Sequence, residues 1–586
     1  MDPAGAFSSE ETLVVNNVYQ ELFIYNYTST ATLVPVLATQ YSSNPTATSY
    51  NFVLQPNAYF MNGDAFNASV VWFNFYRVMV MNQIGGSFFS SLLYNATSAF
   101  SSGYVLPTGA DAALVAGGYQ LSTTNSTLRQ IQASTDLAAL LSHFNPSNST
   151  IQKIMSYSNQ SVVAVNNTDV QFNLINPYLN FIDAVASTAG GQVDPAFVDA
   201  NGGVQPNAQN TFVNTHSMAT GPYTIQNFQT GEFTTLGANP NYWASKLPAG
   251  QQNVMLTSPK IPVISIQYAQ SASQVIEGLK SNQGAIMGGP PIPVLPAVDL
   301  PQLASVPGLE VMSFPKAETY SFLVAELDTQ KYPTNITDFR QAVVHAINYS
   351  EIISSVAAGY GQQMLGPISP GLPYYNPDNL SNYNFNTNLA ISDLTAAGFK
   401  VTLPNGTTLN SSGQTIPTIP IVYWSSDPSE TKAAQELQIM LTNVGIPVQL
   451  NGETSATANS DVSQAGTASG YPNIFMWYWY PSYFDPVLQD MVVEENVNYG
   501  GVFGNIAWFN DTTVNNLTNM LPFETNQSQI LDGVKQVYNI TDTQAPYAWL
   551  YAVTPYWVQR SYLAGVFYNP ALEGFYFPTM YYNTSS

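Results

Sequence analysis

A strand pattern, a helix pattern and a second strand pattern follow one another between residues 420 and 450, and this order narrows the possible folds. The helix has a clear start, because Asp427 stands at the cap and Pro428 in the first turn. It also has a clear end, because Gly445 accepts the left-handed backbone that follows many helices. Two strands joined by a helix predict a β–α–β unit, and therefore an α/β protein with layers of helices and strands.

Similar patterns recur along the chain, and its 586 residues indicate more than one domain. Alternating apolar residues predict strands at 32–37, 50–54, 263–268, 320–325, 420–424 and 549–553. Apolar residues at helical spacing predict helices at 68–80, 271–279, 339–346, 350–357, 427–444 and 527–538. Candidate borders are marked by loops rich in Pro, Gly and Asn at 190–209, 287–301 and 361–388.

The stretch from Phe60 to Tyr76 combines a turn with an amphipathic helix. Asn62-Gly63-Asp64 has turn chemistry, because Gly accepts a positive φ and the flanking side chains form local hydrogen bonds. Asn67 is predicted to be the N-cap of the helix that follows. By itself this arrangement is common to most globular proteins.

Four segments, in this order, are similar to the motifs of one family. They are Phe60–Val71, in which Ser69 replaces an acidic residue; Ala219–Tyr223 followed by Asn239–Trp243; Phe339–Asn348; and Trp479–Pro486, where half of the motif is present. Each segment is short, but their order and their spread over most of the chain make the resemblance strong. The sequence is identified as a member of the family 5 solute-binding proteins of ABC importers, the dipeptide/oligopeptide-binding type.

The resemblance implies an α/β, two-lobed periplasmic-binding-protein-like fold of the large peptide-binding type, with an extra subdomain and a hinged cleft. Mapping the family onto this chain places the first lobe at 1–49, 211–312 and 555–586. The inserted subdomain is then 50–210 and the second lobe 313–554. Such a receptor closes around its solute by hinge motion and presents it to a membrane permease.

The resemblance also implies a site for an oligopeptide. In peptide-binding relatives, an acidic residue of the fourth motif holds the α-amino group of the peptide by a charge-assisted hydrogen bond. Alignment places Ser482 at that position, so either the Ser482 hydroxyl accepts the hydrogen bond or another carboxylate substitutes for the missing acid. The candidates are Asp485 and Glu21, and Gln20 lies next to Glu21 in a segment that resembles a first-lobe motif.

The run from Trp477 to Asp485 is the densest aromatic stretch in the chain, and it suggests a second ligand class. Sugar rings stack on flat aromatic faces, and relatives of this family include oligosaccharide binders. The simpler interpretation is that alternate members of the run fill the core of a strand. One face is still expected to line a largely apolar pocket. Its candidate residues are Trp424, Tyr478, Trp479, Tyr480 and Tyr551.

Composition indicates an extracellular protein. The chain has no cysteine, which excludes disulfides and thiol chemistry. N-glycosylation sequons are spread along it, and this combination favours an archaeal cell surface. The candidate glycan acceptors are Asn26, Asn67, Asn95, Asn125, Asn148, Asn159, Asn166, Asn335, Asn348, Asn379, Asn405, Asn410, Asn510, Asn516, Asn526, Asn539 and Asn583.

The charge inventory is unusual. Only 8% of the residues are charged, and 13 Lys and Arg face 36 Asp and Glu, which gives a net charge of −23. With so few bases, self-repulsion stays small in acid, so the composition fits an acidic habitat as well as it fits a generic acidic surface protein. The scarcity of basic residues excludes nucleic acid as a partner.

Several classes of function are disfavoured. The chain has no phosphate-binding glycine loop and no metal-ligand cluster, so we expect no cofactor, no metal and no enzyme activity. His345 lies on a predicted helix and is expected to be a packed or capping residue. A structural surface-layer or adhesion glycoprotein remains the alternative of a different class. No leader or membrane span is visible, and we expect a precursor with a membrane anchor outside these residues.

Overall fold

The computed structural model describes residues 1–268, 271–288, 295–314, 321–378, 380, 384–464, 472–479, 485–497, 504–572 and 574–583. The chain forms two compact units. The first comprises Met1–Ala269 and Tyr562–Ser586, and the second comprises Gln270–Pro481 and Asp485–Ser561. The chain thus returns to the first unit at its C-terminal end. The five segment boundaries predicted from the sequence stay a prediction.

The α-helices are numbered in chain order. They are α1 Ser9–Val18, α2 Ala68–Met81, α3 Ile84–Ser87, α4 Ala96–Ser102, α5 Ala110–Ala116, α6 Ser126–Leu141, α7 Ser149–Met155, α8 Phe181–Val185, α9 Pro195–Ala200, α10 Ala272–Lys280, α11 Leu300–Ala304, α12 Thr337–Ala346, α13 Tyr349–Ser355, α14 Thr387–Ala396, α15 Pro428–Asn443, α16 Ser455–Gln464, α17 Val493–Glu495, α18 Thr512–Met520 and α19 Gln527–Gln544. A π-helix, Pro486–Val492, leads directly into α17. Among the described residues, no helix has both the length and the apolar character that a membrane crossing requires.

The strands are numbered in the same way. They are β1 Phe23–Tyr25, β2 Leu33–Pro35, β3 Ala38–Ser43, β4 Ser49–Leu54, β5 Val162–Ala164, β6 Asp169–Asn173, β7 Tyr223–Gln229, β8 Phe233–Ala238, β9 Val263–Gln267, β10 Ile286–Met287, β11 Leu309–Ser313, β12 Phe322–Leu327, β13 Gly361–Gln362, β14 Phe399–Lys400, β15 Gln414–Thr415, β16 Ile419–Trp424, β17 Val448–Glu453, β18 Ile474–Trp479, β19 Tyr547–Val553, β20 Tyr556–Arg560, β21 Leu563–Ala564 and β22 Tyr581–Tyr582.

The first unit contains small antiparallel sheets, and helix α2 packs against strands β5 and β6 of one of them. Its larger sheets have the strand orders β3-β4-β6-β5 and β7-β8-β9. Helix α2 is buried along almost its whole length, and Trp72 and Phe73 are completely covered. Asn67 caps this helix by accepting hydrogen bonds from the backbone nitrogens of Ser69 and Val70, as the sequence predicts. The helix therefore contributes a large part of the buried core of this unit.

The second unit contains a six-stranded mixed sheet of order β13-β19-β12-β18-β16-β17. Strands β12, β18 and β19 pair antiparallel and are buried along their whole length. Strands β16 and β17 run parallel to each other and are joined by α15, which confirms the predicted β–α–β unit. Asp427 caps α15, and Gly445 has a φ of +93° just past its end.

Two further predictions about this unit are confirmed, although one of the predicted helices has a different end. His345 is packed at the end of α12, where its Nδ1 lies 2.9 Å from Oδ2 of Asp393 on α14. The helix predicted at 527–538 begins at Gln527 but continues to Gln544. Its last two turns carry many Thr, Asp and Asn residues, so their apolar periodicity is weak. Packing against other elements, rather than local propensity, explains this extension.

Candidate functional site

Three motif segments of the first unit are joined by backbone and side-chain hydrogen bonds. The nitrogen of Met61 donates to the carbonyl of Ala219 at 3.1 Å, and Nδ2 of Asn241 donates to the carbonyl of Met61 at 3.2 Å. Asn239 completes the set, because its Nδ2 donates to the carbonyl of Gly221 at 2.9 Å. The motifs around residues 60, 220 and 240 are therefore one structural assembly rather than separate signals.

Gly221 allows this assembly to approach the end of α1. A Cβ atom at position 221 would stand only 2.1 Å from the carbonyl oxygen of Val18. No side chain can occupy that space, so the backbone contact requires Gly. The segment that follows α1, which carries Gln20 and Glu21, is held against the assembly by this close approach.

Gln20 is buried, and its side-chain amide is fully engaged. Its Nε2 donates to Oη of Tyr242 at 2.9 Å, and its Oε1 accepts from Nε1 of Trp243 at 2.9 Å. Its backbone carbonyl accepts from the nitrogen of Gln192 at 3.0 Å. In the structure, this predicted ligand residue anchors the motif at 239–243 to the end of α1.

Glu21 differs from its neighbour, because one of its carboxyl oxygens is unpaired. The side chain is 2% exposed, and Oε1 has no hydrogen-bond partner among the described residues. Burial raises the pKa of Glu21 well above its usual range. Tyr576 lies close enough for the Glu21 charge to raise the tyrosine pKa further, after burial itself. A buried acid without a cation is the kind of group that a cationic ligand would complete.

In the second unit, the aromatic strand β18 is a packed core strand. Nε1 of Trp477 donates to Oε1 of Glu326 at 2.5 Å, and Nε1 of Trp479 donates to the carbonyl of Gln489 at 3.0 Å. The hydroxyl groups of Tyr478 and Tyr551 lie 2.5 Å apart. Trp477 and Trp479 are only 5% and 7% exposed. Their rings fill the interior, and their polar atoms are satisfied there.

Trp424 stands at the carboxyl end of parallel strand β16, a position at which open α/β sheets bind ligands. Its backbone nitrogen donates to Oε2 of Glu430 at 2.8 Å. Its buried indole nitrogen and Oε1 of Glu430 both lack a hydrogen-bond partner within the described structure. Burial raises the pKa of Glu430 well above its usual range, and the neighbouring Asp427 raises it further. One unpaired donor and one unpaired acceptor thus stand at this strand end.

The tyrosine pair belongs to the same neighbourhood. Burial raises the pKa of Tyr478 well above its usual range, and the pKa of Tyr551 is raised for the same reason. The negative charges of Asp427 and Glu430 raise both further. Asp427 and Glu430, which flank Trp424 at the start of α15, therefore lie near the Tyr478–Tyr551 pair. That Trp424, Tyr478 and Tyr551 line one pocket stays a prediction.

Of the remaining candidates in this segment, the structure describes only Asp485. Asp485 caps the π-helix, and its Oδ1 accepts from the nitrogens of Val487 and Leu488 at 3.1 and 3.0 Å. Tyr480 and Ser482 lie outside the described residues. Oδ1 of Asp485 is used in capping the π-helix, a structural role that the sequence did not indicate.

Sequence reasoning missed a group of buried acids in the second unit. Glu326, Glu430, Asp490, Glu494 and Glu495 are each at most 1% exposed. A signal was available for some of them, because Glu326 interrupts the apolar run FLVAEL and Glu494 follows the run MVV. A charged residue inside an apolar run predicts either a buried polar contact or a functional group.

The sequons also have a structural explanation. Five of the candidate asparagines are N-caps, in which Oδ1 accepts a backbone hydrogen bond from the first turn of a helix: Asn67, Asn125, Asn148, Asn348 and Asn526. Most of the others are exposed, and Asn26 and Asn410 are half-buried. Asn379 lies outside the described residues. An Asn with Ser or Thr two positions later is also a good helix start, so part of the pattern reflects folding.

No set of three or more His, Asp and Glu side chains in the described ranges has the arrangement of a metal site.

Comparison with known proteins assigns the family. Residues 32–489 match the family described as bacterial extracellular solute-binding proteins, family 5. The chain is 25% identical over 415 residues to the probable D,D-dipeptide-binding periplasmic protein DdpA of Escherichia coli K12. The aligned region covers 69% of this chain and 70% of that protein. This protein therefore belongs to family 5 of the extracellular solute-binding proteins, the solute receptors of ABC importers, and it is a binding protein rather than an enzyme.

Solved structures give the same fold. NikA from Brucella suis in complex with Fe(III)-EDTA is similar with a TM-score of 0.72 at 16% identity, over 99% of this chain and 97% of that chain. The oligopeptide-binding protein AppA from Bacillus subtilis in complex with a nonapeptide is similar with a TM-score of 0.70 at 15% identity, over 100% of this chain and 96% of that chain. The predicted periplasmic-binding-protein-like α/β fold is confirmed.

Proposed function

We propose that this receptor captures oligopeptides outside the cell and delivers them to the permease of an ABC importer. The observation that carries the proposal is Glu21, a fully buried carboxyl group with an unpaired oxygen and no cationic partner in the described structure. The ammonium group of a peptide would supply that partner through a charge-assisted hydrogen bond. The names of the relatives support the same ligand class, because DdpA is named for a D,D-dipeptide and AppA was solved with a nonapeptide.

Unpaired groups in the second unit suit a peptide backbone. The indole nitrogen of Trp424 can donate to a peptide carbonyl, and Oε1 of Glu430 can accept from a peptide nitrogen. Gln20 and Asp485 would act by holding the backbone around the ligand contacts. The proposed ligand-binding residues are Glu21, Trp424, Tyr478, Tyr480, Ser482 and Tyr551, and the candidates Gln20, Trp479 and Asp485 are proposed to position them.

The oligosaccharide alternative depends on exposed aromatic faces. Trp477 and Trp479 are almost completely buried, so their rings have little area left for stacking on sugar. This favours the peptide over the sugar. A metal chelate is a further alternative, because NikA was solved with Fe(III)-EDTA. The surface-layer alternative loses its support once the family is assigned.

The location at the cell surface is a separate proposal. Members of the family are extracellular or periplasmic. We infer an archaeal cell-surface glycoprotein that is anchored by a segment outside these residues. Asn125, Asn148 and Asn526 are the sequons best suited to carry glycans, because they are exposed and use only Oδ1 in capping. Glycopeptide mass spectrometry of protein from its native source tests this, and unmodified peptides at all three positions would contradict it.

Titration calorimetry tests the ligand class. We expect binding of peptides of two to nine residues, and at least tenfold weaker binding of the same peptides after N-terminal acetylation, because acetylation removes the cation. Linear oligosaccharides and Fe(III)-EDTA serve as comparison ligands. Tight binding of a sugar or a chelate together with no binding of any free-amine peptide would refute the peptide proposal.

A further inference from the structure

Four buried acids of the second unit lie close together, and no cation among the described residues pairs with them. They are Glu326 on β12, Asp490 on the π-helix, and Glu494 and Glu495 on α17. Their exposed fractions are 1%, 0%, 0% and 0%. None of the ion pairs formed by described Lys, Arg and His residues includes any of the four. Several ionised carboxylates in such a setting would be very costly, because each loses its hydration and repels the others.

The hydrogen bonds distinguish Glu326 from Glu494. Oε1 of Glu326 accepts from Nε1 of Trp477 at 2.5 Å, and its Oε2 accepts from the backbone nitrogen of Ala507 at 2.8 Å. Both donors favour an oxygen without a proton. In contrast, both carboxyl oxygens of Glu494 lack a hydrogen-bond donor among the described residues.

Protonation supplies what these groups lack. A neutral carboxylic acid has one O–H donor, whereas a carboxylate has none. Glu494 lies beside Glu326, close enough for the two charges to act on each other. A proton on Glu494 would therefore have an acceptor in the Glu326 carboxylate.

We propose that Glu494 carries a proton in the folded protein and uses it in a hydrogen bond to Glu326. Proton binding therefore stabilises the second unit, and proton loss destabilises it. The proton is the ligand of this cluster. It neutralises one charge and supplies the missing hydrogen bond in the same step. The proposal concerns the folding of the unit and does not depend on which solute the receptor binds.

The other groups around the cluster point in the same direction. Asp485 and Tyr538 face Asp490, and Tyr547 and Thr541 face Glu495. Each of these four is neutral or negative, so none offers a positive charge. Burial raises the pKa of Glu326 to about 7, although its two N–H donors lower it. Burial first, and then the charges of the other acids, raise the pKa of Glu494 well above its usual range.

The sign of the pH effect follows from these shifts. An acid whose pKa is higher in the folded than in the unfolded state binds more protons when folded. Stability is then complete below the unfolded pKa of about 4.5 and falls as the pH rises toward the folded pKa. For this cluster the loss should extend from about pH 4.5 to pH 7 and beyond.

Glu430 and Glu21 are buried acids of the same kind in other parts of the chain. Each is buried and has one carboxyl oxygen without a partner in the described structure. They lie outside the cluster, so they would add to the pH dependence of the whole chain but not to the effect of changing Glu494.

The test compares pH-dependent unfolding of the wild type with that of two variants. Glu494→Gln keeps the volume and supplies a permanent N–H donor, so it imitates the protonated acid. Glu310→Gln is the control, because it removes an exposed carboxyl group from the same unit. The melting temperature of each protein is measured from pH 4 to pH 8. We expect the wild type and the control to lose stability as the pH rises. Glu494→Gln should lose clearly less, because the number of protons released on unfolding falls by about one.

Infrared spectroscopy gives a second readout on the folded protein. At pH 6 exposed carboxyl groups are ionised, so remaining absorption from protonated carboxyl groups reports the buried acids. Glu494→Gln should remove part of this absorption, and Glu310→Gln should leave it unchanged. Wild-type stability that is constant or rises toward pH 8, or an unchanged infrared band in Glu494→Gln, would overturn the proposal. If Glu494→Gln does not fold, the infrared band of Glu495→Gln and the wild-type pH profile decide the question.

Discussion

Nε1 of Trp477 on β18 donates a 2.5 Å hydrogen bond to Oε1 of Glu326 on the neighbouring strand β12. Trp477 pairs directly with Val324, and Glu326 lies two residues further along. Residues two positions apart share one face of a strand, so the indole and the carboxyl group meet across the pair. This contact connects the aromatic strand to the buried acids.

Replacing Trp477 with Phe removes the donor and leaves Oε1 of Glu326 without its partner. We expect the free energy of unfolding to fall by about 2–3 kcal/mol, as for a hydrogen bond to a charged group. The loss should be greater at pH 8 than at pH 5, because an ionised Glu326 needs the donor more. Urea unfolding at both pH values measures this. Trp508→Phe is the control, since the Trp508 indole nitrogen has no partner in the described structure.

Replacing Gly221 with Ala should destabilise the first unit severely. The new Cβ would stand 2.1 Å from the carbonyl oxygen of Val18, which is backbone and cannot rotate away. We expect a loss of about 3 kcal/mol or more, at the upper end for an overpacked site. Thermal unfolding provides the measurement, with Gly250→Ala as the control, because position 250 has open space around it. Equal melting temperatures for the two variants would contradict the close approach.

Replacing Glu21 with Gln tests the proposed amine anchor. The variant should bind a free-amine peptide at least tenfold more weakly, which is about 1.4 kcal/mol or more. It should bind the acetylated peptide nearly as well as the wild type does, because the acetylated peptide has no ammonium group to pair with Glu21. Calorimetry on the four combinations of protein and peptide gives the coupling between the two groups. If the two losses are additive, Glu21 does not contact the amine.

The pH dependence of peptide affinity has a predictable sign. Burial raises the pKa of Glu21, so the carboxyl group is protonated over a wider pH range than an exposed Glu. It must release that proton to pair with an ammonium group. We expect affinity for free-amine peptides to rise between pH 4 and pH 7, with proton release on binding. Calorimetry in buffers of different ionisation enthalpy detects the released proton, and Glu21→Gln should abolish the effect.

Replacing Trp479 with Ala should act mainly on stability. The side chain is 7% exposed and its indole nitrogen is bound to the carbonyl of Gln489, so the change leaves a cavity in the sheet. The expected cost is about 3–5 kcal/mol. Trp479→Phe, which keeps most of the ring, should lose clearly less. A normal melting temperature together with lost peptide binding would instead place Trp479 at the ligand.

The sequence by itself determined the features that depend on neighbours in the chain. The caps at Asn67 and Asp427, the stop at Gly445 and the β–α–β unit were readable because each is set by hydrogen bonds and periodicity within a few residues. The family motifs also determined the fold class, since their order spans both units.

Only the tertiary structure decided which polar groups are buried and what they contact. Gln20 meets Trp243 across 223 positions, and Glu326 meets Trp477 across 151 positions. The central strand β12 pairs with β19, which is formed more than 200 residues later (Phe322 opposite Ala552). Loss of hydration depends on every atom around a group, and most of those atoms come from distant parts of the chain. For that reason the charge of Glu21 or Glu494 could not be judged from local sequence.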